Sequence, residues 1–272
     1  MSTLYVVATP IGNLSDLTGR AIEILSAVPR VAAEDTRVAR KLLNHIGAFP
    51  KIESLHEHTS PRRLQSIVNH LESSDMAVVT DAGTPGISDP GPALVEAAIA
   101  AGHNIVPVPG ASAIITALSI TGWRFNRFLF LGFLPRKKSE KTAALDSAFT
   151  EPGPIVIYES PHRVKATFKD INAIFSNRQL VVCRELTKYY EEIFRGDAKS
   201  ALSHFKEPRG EFVVVIKGVG EQAATRLAEK SILEVLIDLE SQGLKGRSIV
   251  DRVVEITGAS KNIVYRLWLN RQ

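Results

Sequence analysis

The sequence predicts an α/β protein built as two α/β domains with a small C-terminal helical domain appended, and three observations carry that prediction. Short apolar runs alternate with amphipathic stretches through residues 1–120, the pattern of βαβ units in a mostly parallel sheet. More strand-like runs, with fewer helices between them, fill residues 121–220 and predict a mixed sheet. Residues 221–272 read as helices only.

In the first domain, Leu4-Tyr5-Val6-Val7-Ala8 reads as a buried strand running into the turn-rich Thr9-Pro10-Ile11-Gly12-Asn13. A helix is predicted over 18–27, where Ala21, Ile22, Ile24 and Leu25 supply an apolar face. Val31-Ala32-Ala33 is a second strand, ending in Glu34-Asp35-Thr36-Arg37. Ser60-Pro61 puts a capping hydroxyl before a proline, which opens a helix. Met76-Ala77-Val78-Val79-Thr80 is a third strand, leading into the loop 81–91. A helix of small residues over 93–101 precedes the strand Ile105-Val106-Pro107-Val108, which runs into Pro109-Gly110-Ala111-Ser112. These Gly- and Pro-rich junctions lie at the carboxyl ends of strands, where open α/β sheets bind ligands.

In the second domain, 128–131, 154–158, 180–183 and 212–216 read as strands, and Glu192-Ile193-Phe194-Arg195 as an edge or hairpin strand. Ser160-Pro161 starts another helix, and 135–139 is expected as an exposed basic loop. In the last segment, Ser231-x-x-Glu234 and Ser248-x-x-Asp251 have the form of capping boxes, and Gly243 and Gly258 mark helix stops. Residues 248–257, the turn Gly258-Ala259-Ser260 and residues 261–269 make a helix–turn–helix pattern. A small helical cap over one edge of the second domain accounts for the same segment equally well.

Composition bounds the function. The chain has 272 residues, 33 Lys+Arg and 29 Asp+Glu, for a net charge of +4. With 44% hydrophobic and 23% charged residues it is not a disordered chain. The single Cys183 excludes an internal disulfide framework and fits a reducing cytosol. There is no apolar run of ~18 residues to span a membrane, and the first residues lack the basic front of a secretory signal. A cytoplasmic protein without membrane partners is the expectation.

Neither GxGxxG nor GxxxxGK[ST] occurs, which removes the main warrant for a dinucleotide fold or a P-loop NTPase. The loop Asp81-Ala82-Gly83-Thr84-Pro85-Gly86-Ile87-Ser88-Asp89-Pro90-Gly91 is longer than the usual ~2–6 residues of a strand–helix connection, and long ordered loops are usually functional. Its glycines let backbone approach a ligand while its prolines hold the loop rigid. His56-Glu57-His58 has no Cys or third His beside it, so no metal is predicted.

Thr9-Pro10-Ile11-Gly12-Asn13-Leu14, Ala33-Glu34-Asp35-Thr36-Arg37, the 81–91 loop and Val108-Pro109-Gly110-Ala111-Ser112-Ala113 occur in that order. Tyr158-Glu159-Ser160-Pro161-His162-Arg163, Arg184-Glu185-Leu186-Thr187-Lys188 and Arg209-Gly210-Glu211-Phe212 follow. Together they resemble the tetrapyrrole methylase superfamily of class III methyltransferases, and within it the ribosomal RNA small subunit methyltransferase I family. The resemblance covers residues 1–220 closely, and the appended helices are typical of that subgroup. It implies a cleft between two α/β domains that holds S-adenosyl-L-methionine, a homodimer, and 2′-O-methylation of a cytidine in the decoding centre of 16S rRNA in the small ribosomal subunit. Carried over by motif, the cofactor would meet Ile11, Gly83, Thr84, Ile87, Ser112 and Ala113, with Glu159, Leu186, Glu211 and Phe212 from the second domain. Where tetrapyrrole enzymes commonly have Gly-Asp-Pro, this chain has Gly83-Thr84-Pro85, which argues against a tetrapyrrole substrate.

A hydroxyl that accepts a methyl group must lose a proton, so a base or a cation that lowers its pKa is needed. Arg184, Glu185 and Lys188, at the end of a buried strand, are the first candidates, and Glu159 with Arg163 the second; an ordinary ion pair explains either set. Asn13, Asp35, Arg37 and Asp81, at strand ends, are candidates for ribose or phosphate. For RNA phosphates the candidates are Arg136, Lys137, Lys138, Lys141 and Arg163, with Lys245, Arg247, Lys261, Arg266 and Arg271 in the last helices. The stretch 124–141 carries six basic residues against Glu140, and 243–272 carries six against two. The rival readings are a small-molecule tetrapyrrole methylase and a non-catalytic ribosome- or RNA-binding module.

Overall fold

The computed structural model describes residues 2–244 and 247–271. The first sheet consists of β1 (Thr3–Val7), β2 (Arg30–Ala33), β3 (Lys51–Ser54), β4 (Met76–Val79) and β5 (Asn104–Val108). Their spatial order is β3-β2-β4-β1-β5, and every pair is parallel, with Leu4 opposite both Met76 and Ile105. Five helices cover it: α1 (Gly19–Ala27), α2 (Thr36–His45), α3 (Pro61–Val68), α4 (Pro92–Ala100) and α5 (Ala113–Ser119). Val, Ala and Met dominate β4 because each of its residues is buried, as in a parallel sheet covered on both faces. One core packs Val7, Leu25, Val31 and Val79 on one face; the other packs Leu4, Ile67, Leu71 and Leu94 on the opposite face. Side-chain caps start the helices as the sequence indicates: Thr18 accepts from the Ala21 N–H, and Ser60 from the Arg63 N–H with Pro61 in the first turn.

The second sheet holds β6 (Leu129–Phe133), β7 (Ile155–Glu159), β8 (Leu180–Arg184), β9 (Glu192–Gly196) and β10 (Phe212–Ile216), in the order β6-β7-β10-β8-β9. It is mixed, as expected: β6 and β7 are parallel, all other pairs antiparallel, and β9 is an edge strand. Helices α6 (Lys138–Ser147), α7 (Pro161–Phe175) and α8 (Ala198–His204) pack on one face through Leu145, Phe168, Phe175 and Ala201. The other face, carrying Val156, Val181, Cys183, Val213 and Val215, packs against Ile114, Ala117 and Leu118 of α5 and against Ile11. A helix that follows the first sheet therefore closes the inner face of the second, and this shared core fixes the two sheets against each other.

The last segment is α9 (Glu221–Ser241), α10 (Arg247–Thr257) and α11 (Lys261–Leu269). Ser231 does not begin a helix; it lies inside α9, because 221–241 contains neither Gly nor Pro to interrupt it. Ser248 is likewise the second residue of α10 rather than the residue before it. Gly243 and Gly258 follow the ends of α9 and α10 with φ near +90° and +65°, conformations open to glycine. Ile232, Leu236, Ile249, Val253, Val264 and Leu267 form a core shared by these three helices. Among the described residues no helix is long and apolar enough to cross a membrane.

Candidate active site

The loops at the carboxyl ends of β1, β4 and β5 are laced together. Thr9 and Gly83 exchange backbone hydrogen bonds of 2.8 and 3.1 Å, the Thr9 hydroxyl donates to the Thr80 carbonyl at 3.1 Å, and the Thr84 hydroxyl donates to the Ala111 carbonyl at 3.4 Å. Gly83 holds φ near +78°, and a β-carbon there would lie 3.5 Å from Ile11 Cγ2. From the second sheet, the loop after β8 and the start of β10 face these loops. They come close: a β-carbon on Gly12 would fall 2.3 Å from Lys188 Cγ.

Between them lies a cavity of about 360 Å³. The structure brings all ten expected cofactor positions to its wall: Ile11, Gly83, Thr84, Ile87, Ser112 and Ala113 from the first sheet, Glu159, Leu186, Glu211 and Phe212 from the second. Its size falls in the ~300–1,000 Å³ range of small-molecule sites, and its wall is mainly apolar with a few polar groups. Ile11, Leu186 and Phe212 offer surfaces for a flat base and a thioether chain. The carboxylate of Glu211 and the rings of Phe133 and Tyr158, 5.6 Å apart, suit a ligand with an amine and a sulfonium charge. The residues present therefore fit S-adenosylmethionine. Cys183 also lines the cavity, but burial pushes its thiol up to about 12, which leaves it inert.

The expected proton-handling groups are committed elsewhere. Arg184, Glu185 and Lys188 are not on the cavity wall. Arg184 donates to the Arg209 carbonyl at 2.7 Å and to Glu192 at 3.0 Å. The Lys188 ammonium bonds Glu185 at 3.0 Å and Glu211 at 2.8 Å, and Glu185 also accepts from the Glu211 N–H at 2.9 Å. Desolvation pushes Glu185 up, but the Glu211 N–H and the Lys188 ammonium outweigh it and hold the carboxyl below the usual range. Desolvation works against the Lys188 charge too, yet its bonds to Glu211 and Glu185 raise its pKa, so it stays an ammonium and cannot accept a proton. Together they form a clasp between the β8 loop and β10. Glu159 is 2% exposed: its Oε1 accepts from the Ser160 N–H at 2.9 Å, its Oε2 from the Thr167 hydroxyl at 2.7 Å, and Arg163 Nε lies 3.5 Å away. This carboxylate pins the first turns of α7 and is spent on that work.

Asp89 and Tyr158 line the cavity and were not singled out by sequence. Burial, with Glu34 and Asp81 facing it, pushes Asp89 up to about 6; burial, with Asp89 facing it, pushes Tyr158 up to about 12. A second recess of about 410 Å³ opens beside this acidic group, lined by Glu34, Asp35, Thr36, Arg37, Ser54, His56 and Asp81. It gathers Asp35, Arg37 and Asp81 from the strand-end candidates. Arg37 is engaged by Asp35, as the side chains bond at 2.6 Å, and the Asp35 N–H bonds Asp81 at 3.0 Å.

The cationic candidates divide. Arg136, Lys137 and Lys138 are exposed, although Lys138 begins α6 instead of lying in a loop, and Lys137 pairs with Glu140 at 3.2 Å. Lys141 is only 9% exposed and is ion-paired with Asp170 of α7, so it is a packing residue and not a phosphate contact. Arg163 is likewise turned inward, donating to the carbonyls of Leu134 at 2.6 Å and Pro135 at 3.2 Å. Lys261 pairs with Asp251, Arg266 with Glu229 at 2.7 Å, and Arg271 with Glu240 at 3.0 Å. Acids on α9 thus engage two of the six basic residues counted over 243–272, and Asp251 on α10 engages a third. Lys245, and the side chain of Arg247, lie outside the described residues.

Comparison with known proteins agrees with this geometry. Residues 3–202 match the sequence profile of the Tetrapyrrole (Corrin/Porphyrin) Methylases. Curated relatives named Ribosomal RNA small subunit methyltransferase I include one from Halalkalibacterium halodurans, 40% identical over 98% of this chain and 94% of its own, and one from a Synechocystis species, 41% identical over 99% and 98%. One from Escherichia coli is 38% identical over 99% and 95%. Among solved structures, a diphthine synthase superposes with TM-score 0.60 at 12% identity, covering 83% of this chain and 94% of its own. The uroporphyrin III C-methyl transferase from Thermus thermophilus does so with TM-score 0.59 at 15% identity, covering 83% and 100%.

Proposed function

The chain belongs to the tetrapyrrole methylases and, among them, to the ribosomal RNA small subunit methyltransferase I family, and on that premise we propose that it methylates the 2′ hydroxyl of a cytidine in the decoding centre of 16S rRNA. The observation that carries the reading is the cavity at which the strand-end loops of both sheets converge, with every motif-derived cofactor position on its wall. When bound there, S-adenosylmethionine supplies an electrophilic sulfonium methyl.

The protein's part is placement. Ile11, Leu186 and Phe212 give the cavity an apolar wall, and the hydrogen-bonded loops at Thr9, Gly83 and Thr84 hold its floor in place before anything binds. Pre-paid orientation of donor and acceptor supplies much of the acceleration of a displacement reaction. The Glu185–Lys188–Glu211 clasp fixes the second-sheet wall, and Glu159 fixes the start of α7. Phe133 lines the cavity, and the exposed Arg136, Lys137 and Lys138 follow it within five residues. That placement supports RNA phosphates as their partners. The family resemblance supports a homodimer acting on the small subunit.

The test is methyl transfer from labelled cofactor to small subunits, naked 16S rRNA and a tetrapyrrole precursor in parallel. Label in 2′-O-methylcytidine, recovered from one alkali-resistant linkage, is the expected result. Label on the tetrapyrrole alone, or on a base instead of a ribose, would overturn the reading.

A further inference from the structure

We infer that Asp89 is the catalytic residue that takes the proton from the acceptor hydroxyl. The inference rests on the methyl-transfer reading and deepens it. Three carboxylates line the cavity, Asp89, Glu159 and Glu211. Glu159 is sealed under α7 with both oxygens hydrogen-bonded, and Glu211 is ion-paired to the Lys188 ammonium at 2.8 Å. Asp89 alone among them makes no hydrogen bond or ion pair to any described residue. Its lone pairs are free for a substrate.

Its position suits the step. Asp89 lies on the loop after β4, on the wall of the cavity, while Glu34 and Asp81, whose charges act on it, line the neighbouring recess. A ribose hydroxyl brought to a methyl donor in the cavity would meet this carboxylate on the wall. The hydroxyl proton passes to an Asp89 oxygen as the ribose oxygen forms its bond to the methyl carbon. The carbon–sulfur bond breaks, and its electron pair leaves with sulfur as a neutral thioether. The titratable groups facing Asp89 are Glu34 after β2, Asp81 after β4 and Tyr158 on β7. Burial, and after it the two carboxylates, push Asp89 up to about 6 and make it a stronger base than an isolated carboxylate, close to neutrality where general bases work best. Tyr158, held protonated at neutral pH, adds no negative charge.

The experiment compares wild type, Asp89→Asn and Asp89→Glu with small subunits as substrate, across pH 5–9, and measures cofactor affinity separately by calorimetry without RNA. The expected wild-type rate rises with pH through about 6 and then levels, since the carboxylate form is the active one. Asp89→Asn should lose about 10²–10³-fold in kcat and lose the acid limb, while binding cofactor within about threefold of wild type. Asp89→Glu should keep the acid limb with a reduced plateau. An Asp89→Asn enzyme with wild-type kcat, or with the same acid limb, would overturn the inference and leave the functional reading intact. Cofactor affinity falling in step with rate would overturn it too, making Asp89 a cofactor ligand. A wild type that transfers no methyl to RNA would sink both.

Discussion

Replacing Glu159 by Ala should loosen the fold while leaving the pH dependence of the chemistry untouched. The carboxylate sits at the end of β7, sealed from solvent, and accepts from the Ser160 N–H at 2.9 Å and the Thr167 hydroxyl at 2.7 Å beside the Arg163 guanidinium. A hydrogen bond to a charged acceptor contributes ~1.5–3 kcal/mol. Breaking a buried charged network by removing one member costs ~3–5 kcal/mol, because the remaining groups are left without partners. Glu159→Ala should therefore cost ~3–5 kcal/mol. Glu159→Gln, which keeps one acceptor oxygen, should cost nearer ~1–2 kcal/mol. In a chain of this size each kcal/mol lowers Tm by ~2–4 °C, so the Ala variant should melt roughly 6–20 °C below wild type. Thr167→Val should cost ~1–2 kcal/mol alone and fall short of additivity with Glu159→Ala by at least ~0.5 kcal/mol, as expected of residues in contact. Calorimetric melting and urea titration read the stability, and a pH–rate profile reads the chemistry. A Glu159→Ala protein that melts within about 2 °C of wild type yet loses its activity would refute the assignment and return this carboxylate to the reaction.

Other outcomes follow from the same interactions. Because the Asp89 carboxyl is moved from its ordinary 3.8 up to about 6, the stability it contributes is present below pH ~4 and lost as pH rises through ~6. Sealed from water that would be ~3 kcal/mol; half-open to solvent it is nearer ~1.5 kcal/mol, so Asp89→Asn should melt above wild type at pH 7.5 and match it at pH 3.5, as thermal scans at the two pH values would read. Changing Arg136, Lys137 and Lys138 together to Ala should weaken RNA binding and flatten its salt dependence, by ~0.7 in log–log slope for each phosphate left unneutralised on single-stranded RNA, with cofactor affinity unchanged; a parallel fall in cofactor affinity would make them structural. Lys141→Ala should do the reverse, leaving RNA affinity intact and costing ~2–4 kcal/mol in urea titration, because it strands Asp170 on α7. Gly210→Ala should destabilise measurably, since φ is near +77° there and the new β-carbon would lie 2.5 Å from the Glu185 side chain.

The central strands were legible because burial on both faces writes them as unbroken Val, Ile and Ala runs, as in Met76-Ala77-Val78-Val79 and Phe212-Val213-Val214-Val215-Ile216. The edge strand β3, Lys51-Ile52-Glu53-Ser54, carries no such run; its Glu53 is held by Arg30 and Arg63, at 2.7 Å each, which local pattern does not reveal. The cofactor loops could be placed because close backbone approach demands Gly and Pro at fixed positions. Charge was the weaker guide. Counting residues along 124–141 set Lys141 beside other cations, whereas its partner Asp170 is a helix away, and Arg266 meets Glu229 thirty-seven residues earlier. Asp89 stood in plain sight within the long loop. What distinguishes it is the absence of a partner among the described residues, and that can only be known once every other carboxylate on the wall has been assigned one.

The three C-terminal helices bury their apolar residues in one another, and the profile match to the methylases ends at residue 202, before they begin. A segment whose helices share a core can be recast without disturbing the cleft that the two sheets build. Its outer surface can therefore vary from one protein to another while the cleft keeps its walls.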